Sequence, residues 1–297
     1  MQLRDFGNTG LRVSALGFGA MHINDERVTE ADAGRLLNDV LDLGVNLIDT
    51  ARGYGLSEER IGRHIAHRRQ DYVLSTKVGY GIPGVADWTA DCIVKGVDAA
   101  LQRMRCEQID IVHLHSCPLE VLQRGEVIAA LLSCRKAGKL RVAAYSGDNA
   151  ELDFALNSGA FGAVQTSISI CDQVNLATRL PLADKRGIGV IAKRPLAGAV
   201  WRHAKRPDDY AEGLYWDRWQ AMGLAADLAP EEVSAMALRF TAFQPGIASC
   251  IVGTSKPAHF KQNLAALTMG PLGAELQARL RQAFLDQNSS GTWGGLI

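Results

Sequence analysis

Four residues, Asp49, Tyr54, Lys77 and His115, have the types and the placing of a proton-donating centre. A free tyrosine ionises near a pKa of roughly 10 and is a poor acid at neutral pH. A buried cation beside its hydroxyl favours the phenolate and lowers that pKa. Lys77 can be that cation, Asp49 can keep it charged and oriented, and His115 can hydrogen-bond a substrate carbonyl oxygen. Taken singly, each has a plainer reading: an ion-pair aspartate, a solvated lysine, a packing tyrosine in a Gly-rich turn, a core histidine. What sets them apart is where they fall. Asp49 closes the apolar run Val45–Asp49, and Tyr54 follows in Arg52-Gly53-Tyr54-Gly55. Lys77 follows Tyr72–Thr76, and His115 follows Ile109–Leu114. Alternation puts His113 on the same strand face as His115, so both are open to the role on geometry. His115 is preferred because it lies nearer the loop.

The elements that must hold these groups are legible as a rhythm. Eight short aliphatic runs recur: Val13–Gly17, Val45–Asp49, Tyr72–Thr76, Ile109–Leu114, Val142–Tyr145, Ala163–Thr166, Ile188–Ala192 and Ser249–Val252. Most are continuously apolar, as strands buried on both faces must be. Amphipathic stretches such as Glu30–Leu43, Thr89–Met104 and Val121–Lys136 lie between them. Eight strands alternating with helices predict a parallel sheet with right-handed crossovers, closed into a (β/α)8 TIM barrel. With 297 residues and no linker or repeat, one such barrel domain spans 1–297. Three pieces fall outside the eight units. Leu3–Val13 reads as an N-terminal β-hairpin around Gly7-Asn8-Thr9-Gly10, able to close the barrel bottom. Ala199–Leu228 is an insertion carrying Trp201, Trp216 and Trp219, and Ala274–Leu285 reads as an additional C-terminal helix. Active sites of such barrels sit where strands end and βα loops begin.

Composition narrows the partners. Lys plus Arg and Asp plus Glu both number 32, so no global charge calls for nucleic acid or an anionic membrane. No stretch reaches the roughly 20 uninterrupted apolar residues of a membrane span, and Met1–Phe6 has no signal-like apolar core. The six cysteines are scattered without a C-x-x-C pair. They are expected to be reduced thiols of a cytoplasmic protein, with no metal.

Beyond these readings lies a resemblance. The stretch from Gly44-Val45-Asn46-Leu47-Ile48-Asp49-Thr50-Ala51 through Tyr54-Gly55 to Ser57-Glu58 resembles the signature around the aspartate and tyrosine of aldo-keto reductases. Ser75-Thr76-Lys77 is similar to that family's lysine strand. Ile109-Asp110-Ile111-Val112-His113-Leu114-His115 matches its segment ending in the catalytic histidine, which selects His115 over His113. The likeness runs from near the first residue to about residue 270. It implies a (β/α)8 barrel, reversible carbonyl reduction with a nicotinamide cofactor, and Asp49, Tyr54, Lys77 and His115 as the catalytic tetrad.

It also implies where the cofactor lies. Gly17-Phe18-Gly19-Ala20 lacks the G-x-G-x-x-G spacing, so a Rossmann site is excluded and an extended cofactor across the barrel mouth is expected. By resemblance, Gln165 and Ser146 bind the nicotinamide carboxamide. Ser146-Gly147-Asp148-Asn149 departs from the common pattern of Asn directly after Ser, which leaves open whether Asn149 or Asp148 takes the amide role. A helix N-cap is the plainer alternative for either. Arg194 can stack on the nicotinamide by its guanidinium plane, and the loop through Leu196 and Gly198 approaches the pyrophosphate. After the eighth run, Gly253, Thr254, Ser255 and Lys256 lead into a helix from about Ala258, a ready anion site. Gln262 and Asn263 match positions that bind adenine. NADP(H) is preferred and NAD(H) possible. Aligned on Asn263, Gly253 and His259 stand where relatives carry basic groups, so the preference should be modest and should grow as His259 gains charge at lower pH.

The expected partner is a small carbonyl or alcohol substrate, lined by Met21-His22, Trp88, Ser116-Cys117 and the 199–228 insertion. Cys117, where many relatives carry an aromatic residue nearby, suggests a roomier or differently shaped pocket. The alternative is a regulatory subunit that binds the cofactor on the same fold with little turnover. A metal-dependent barrel hydrolase would need carboxylate and histidine partners that the other strand ends lack.

Overall fold

Side chains along a strand alternate between its two faces, and here the inward set changes character from one end of the barrel to the other. The structure is a computed structural model describing residues 3–24, 27–224 and 228–296. Met1 and Gln2, and residues 225–227 of the expected insertion, lie outside the described residues. A hairpin of β1 (Leu3–Asp5) and β2 (Arg12–Ser14) precedes the barrel. The barrel strands are β3 (Leu16–Gly19), β4 (Leu47–Asp49), β5 (Val73–Val78), β6 (Ile109–His115), β7 (Leu140–Ser146), β8 (Ala163–Ser167), β9 (Gly189–Lys193) and β10 (Ser249–Val252). They are parallel and close in chain order, with β10 against β3.

One apolar cluster plugs the barrel interior near its base: Leu47, Val73, Ile111, Val142, Ala163 and Ile191, with Phe6, Leu11 and Val13 from the hairpin region. Gly189 admits this plug, because a Cβ there would sit 2.7 Å from the Phe6 ring. Two residues further along five of these six strands the inward positions turn polar: Asp49, Ser75, His113, Gln165 and Lys193, while on β7 Ala144 stays in the apolar cluster. The other strand face, with Ile48, Leu74, Val112, Tyr145, Val164 and Val190, packs against the surrounding helices in the second and larger cluster.

The helices are α1 (Glu30–Asp42), α2 (Ser57–His64), α3 (Ala90–Met104), α4 (Leu119–Arg124), α5 (Glu126–Lys136), α6 (Asn149–Asn157), α7 (Arg179–Lys185), α8 (Tyr210–Met222), α9 (Pro230–Ala242), α10 (Pro257–Thr268) and α11 (Ala274–Gln287). Thr29 and Thr89 cap α1 and α3 by accepting from Asp32 N and Cys92 N.

The (β/α)8 barrel, the hairpin and the C-terminal helix expected from the sequence are all present. Two of the expected runs each divide into two elements. The run Val13–Gly17 is not one strand, since Ser14 ends the hairpin and Leu16 begins the barrel. Local bonds turn the chain between them, Ser14 Oγ donating to Leu16 O at 2.7 Å and Ser14 N to Asn46 Oδ1 at 2.6 Å. The stretch Val121–Lys136 is two helices, split where Gly125 takes a φ of 80°.

Candidate active site

Barrel closure brings Asp49, Tyr54 and His115 to one end of one cavity, with Lys77 buried against Asp49 behind its wall. The β4–β5 register sets Asp49 beside Ser75, and the β5–β6 register sets Lys77 beside His113. Lys77 is only 1% exposed, so its charge requires a partner inside the protein. Its ammonium donates to Asp49 Oδ2 at 2.6 Å and to Thr50 O at 2.8 Å. Asp49 also accepts from Ser75 Oγ at 2.7 Å, and the Ser75 hydroxyl contacts His113 Nε2 at 3.1 Å. The Lys77 ammonium lies 5.0 Å from the centre of the Tyr54 ring and within reach of its hydroxyl. Burial alone would depress the Lys77 pKa, but Asp49 and Tyr54 outweigh it and hold the group above the usual lysine value.

Tyr54 sits in the loop between β4 and α2, where its own N–H donates to Ala51 O and Ser57 N–H donates to its carbonyl. Its ring meets His115 edge-on, with centroids 5.9 Å apart. His115 ends β6 and is uncharged, its pKa pushed down to about 3 by burial and by the nearby Lys77 and Lys193 ammoniums. His113, fully buried, is pushed down to about 4, chiefly by burial. Only the first of the pair faces the cavity.

That cavity, about 720 Å³, runs from Asp49, Tyr54 and His115 past Ser146 and Gln165 to the loops after β9 and β10. Of the residues expected to hold a cofactor, Ser146, Gln165, Arg194, Leu196, Gly198, Gly253, Thr254, His259, Gln262 and Asn263 line it. Three do not. Asn149 has both amide atoms taken by the backbone of Gly295, at 3.0 and 2.8 Å. Ser255 and Lys256 are exposed beyond the cavity wall. Asp148, the other candidate for the amide role, is fully buried. Its carboxylate accepts from Thr166 Oγ1, at 2.5 Å, and from Ser167 N, and pairs with Lys193 at 3.0 Å. Neither it nor Asn149 caps α6 through its side chain. On the substrate side Met21, His22 and Ser116 line the cavity, while Trp88 and the fully buried Cys117 do not. Cys117 therefore does not shape the pocket directly.

A carboxamide-bearing cofactor fits this wall. Gln165 is 1% exposed, and its Nε2 has no partner among the described residues. Its Oε1 accepts from Ser146 Oγ at 3.2 Å. A buried amide donor left open in this way needs an acceptor from whatever fills the cavity.

Sequence reading missed several groups. Ser75 was within its reach, being two residues before Lys77 and so on the same face. Tyr80, whose hydroxyl lies 2.7 Å from His115 Nδ1, gives no periodic signal. The 199–228 insertion, expected at the pocket, reaches the cavity through Arg202 and Glu212, and α9, which was not expected there, adds Glu231 and Ser234. The C-terminal tail was also unforeseen: Leu296 O accepts from Arg194 Nη1 at 2.7 Å and Ser167 Oγ at 2.6 Å, and Leu296 N donates to Asp172 Oδ2.

A model of the aldo/keto reductase family matches residues 15–284. The chain belongs to that family. This aldo-keto reductase is 29% identical to an L-galactose dehydrogenase of Arabidopsis thaliana, covering 99% of this chain and 97% of the relative. It is 27% identical to an Arabidopsis thaliana protein named "probable voltage-gated potassium channel subunit beta", over 92% and 93% of the two chains. Among solved structures, the holo form of an aldo-keto reductase from Bacillus halodurans superposes with a TM-score of 0.82 at 27% identity, covering 95% and 96%. As a member of the family, the chain is an oxidoreductase. Among the described residues no helix is long and apolar enough to cross a membrane.

Proposed function

We propose that this aldo-keto reductase reversibly reduces an aldehyde or ketone to an alcohol with NAD(P)H, and that Tyr54 supplies the proton. The observation that carries this reading is the Lys77 ammonium, buried between the Asp49 carboxylate and the Tyr54 hydroxyl at the head of a cavity. When bound, the nicotinamide supplies the hydride. Ser146 and the open Nε2 of Gln165 would hold its carboxamide, and Gly253, Thr254 and His259, which line the far end of the cavity, would meet its phosphates. Tyr54 donates its proton to the carbonyl oxygen as negative charge develops there. Lys77 stabilises the phenolate left behind, and Asp49 keeps Lys77 in place. His115, neutral, bonds the same oxygen and orients the substrate.

A second reading has one observation in its favour: the similarity to proteins named as potassium channel β subunits. It makes the chain a cofactor-binding subunit with little turnover. Measuring NADPH and NADH oxidation with a panel of aldehydes and ketones separates the two. Steady, substrate-dependent oxidation supports the reductase. Tight cofactor binding with no oxidation across the panel overturns it.

A further inference from the structure

The loop after β5 carries an aromatic group that the reading above leaves without a task. Tyr80 lies nearly parallel to the His115 ring, with centroids 5.5 Å apart and planes at 26°. Its hydroxyl is 2.7 Å from His115 Nδ1. The loop is held on several sides. Arg52 Nε donates to Gly81 O at 3.0 Å, Gly81 N to Asp87 Oδ1 at 2.9 Å, and Trp88 N to Gly79 O at 2.8 Å. Trp88 meets the Tyr80 ring edge-on at 5.9 Å. Gly79, at φ 143°, leaves room for Trp88, since a Cβ there would fall 2.2 Å from the indole. Tyr80 is therefore fixed against His115 by two rings and a set of backbone bonds.

We propose that Tyr80 is a positioning residue that donates its hydroxyl proton to His115 Nδ1 and so fixes the imidazole with its proton on Nε2. The inference rests on the reading of His115 as the group that bonds the carbonyl oxygen. A neutral imidazole has one N–H and one lone pair, and the partner of one nitrogen decides which is which. Tyr80 has one proton to give and no other acceptor among the described residues, while a phenol oxygen is a weak acceptor. Burial raises the Tyr80 pKa, so the proton stays on the hydroxyl to be donated. His115 Nε2 has no protein partner among the described residues, and the ring borders the cavity. The resulting Nε2–H is the donor that a carbonyl oxygen requires. In the opposite tautomer a lone pair would face that oxygen and repel it.

Nitrogen-15 spectra of histidine-labelled protein test this directly, with His115 assigned by loss of its signals in His115→Gln. In the wild type, Nδ1 should appear as the acceptor nitrogen and Nε2 as the protonated one. In Tyr80→Phe, which keeps the ring stack and loses only the hydroxyl, the two should move toward a tautomer mixture. The same variant should lose roughly tenfold in kcat with its cofactor affinity unchanged, the scale of one lost hydrogen bond. A wild-type spectrum with Nδ1 protonated overturns the proposal without any variant. An unchanged tautomer or an unchanged kcat in Tyr80→Phe does so too. If His115→Gln keeps full kcat, the role given to His115 fails instead, and the tautomer spectra still report on Tyr80.

Discussion

Lys77 and Asp49 form a 2.6 Å ion pair buried inside the barrel, with side chains 1% and 2% exposed. Removing one partner of such a pair strands the other charge. Lys77→Met should therefore abolish turnover and also destabilise the fold by about 3–5 kcal/mol. Chemical denaturation and single-turnover cofactor oxidation read the two effects separately. Adding Asp49→Asn should restore much of the stability and none of the activity. A stable, fully active Lys77→Met enzyme would refute the coupling.

Both inward-facing histidines of β6 should stay neutral across the physiological range. With pKa values near 4 for His113 and 3 for His115, neither ring should titrate between about pH 5 and 9 in NMR. Both values lie below the free-histidine value of about 6.5, so the unfolded chain takes up these protons first. Each histidine thus removes stability as pH falls below about 6.5, by about 1.4 kcal/mol per pH unit until its folded pKa is reached. A His115 midpoint near 6.5 would mean that the ring is solvated.

Asp172 acts in the opposite direction. Burial, with the nearby Asp148 charge, raises it from 3.8 to about 7. The folded state holds this proton more tightly than the unfolded state. The stabilisation is complete below the unfolded pKa and is lost as pH rises toward 7, by up to about 1.4 kcal/mol per pH unit. Asp172→Asn removes that dependence. Relative to wild type it should gain stability between about pH 4 and pH 7, as measured by denaturation midpoints. A constant difference across that range would contradict the assignment.

NADP(H) should bind more tightly than NAD(H), but modestly. A 2′-phosphate calls for cations, and Arg would suit it best. The loop after β10 offers Thr254 and the first turn of α10 offers His259 at the cavity wall, with Lys256 exposed beyond it. Tryptophan-quenching titrations with NADPH and NADH measure it. Equal affinities, or tighter NADH, would show that the phosphate site is misassigned.

The barrel was legible because short, continuously apolar runs, each followed by an amphipathic stretch, are local signals. Asp49, Lys77 and His115 each sit at the polar end of an apolar run, and parallel closure then brings them together. Ser75 was equally legible, two residues before Lys77. Tyr80 was not, because its place against His115 depends on the bend at Gly79 and on Trp88, which no periodicity encodes. The pairing of Asp148 with Lys193 and the bonds from Asn149 to Gly295 join segments far apart in the chain. Such contacts redirected Asp148 and Asn149 away from the cavity. The strand boundary at Ala15 was hidden because hairpin and barrel strands abut in one apolar run.

The most direct test of the account is Tyr54→Phe in single-turnover oxidation of bound NADPH by the best aldehyde of the panel. The phenyl ring keeps the packing against His115 and removes only the proton donor. The account predicts a loss of at least about 100-fold in the oxidation rate, with NADPH affinity nearly unchanged, since the hydroxyl acts only in the chemical step. Wild-type turnover in the Tyr54→Phe enzyme would show that another group supplies the proton.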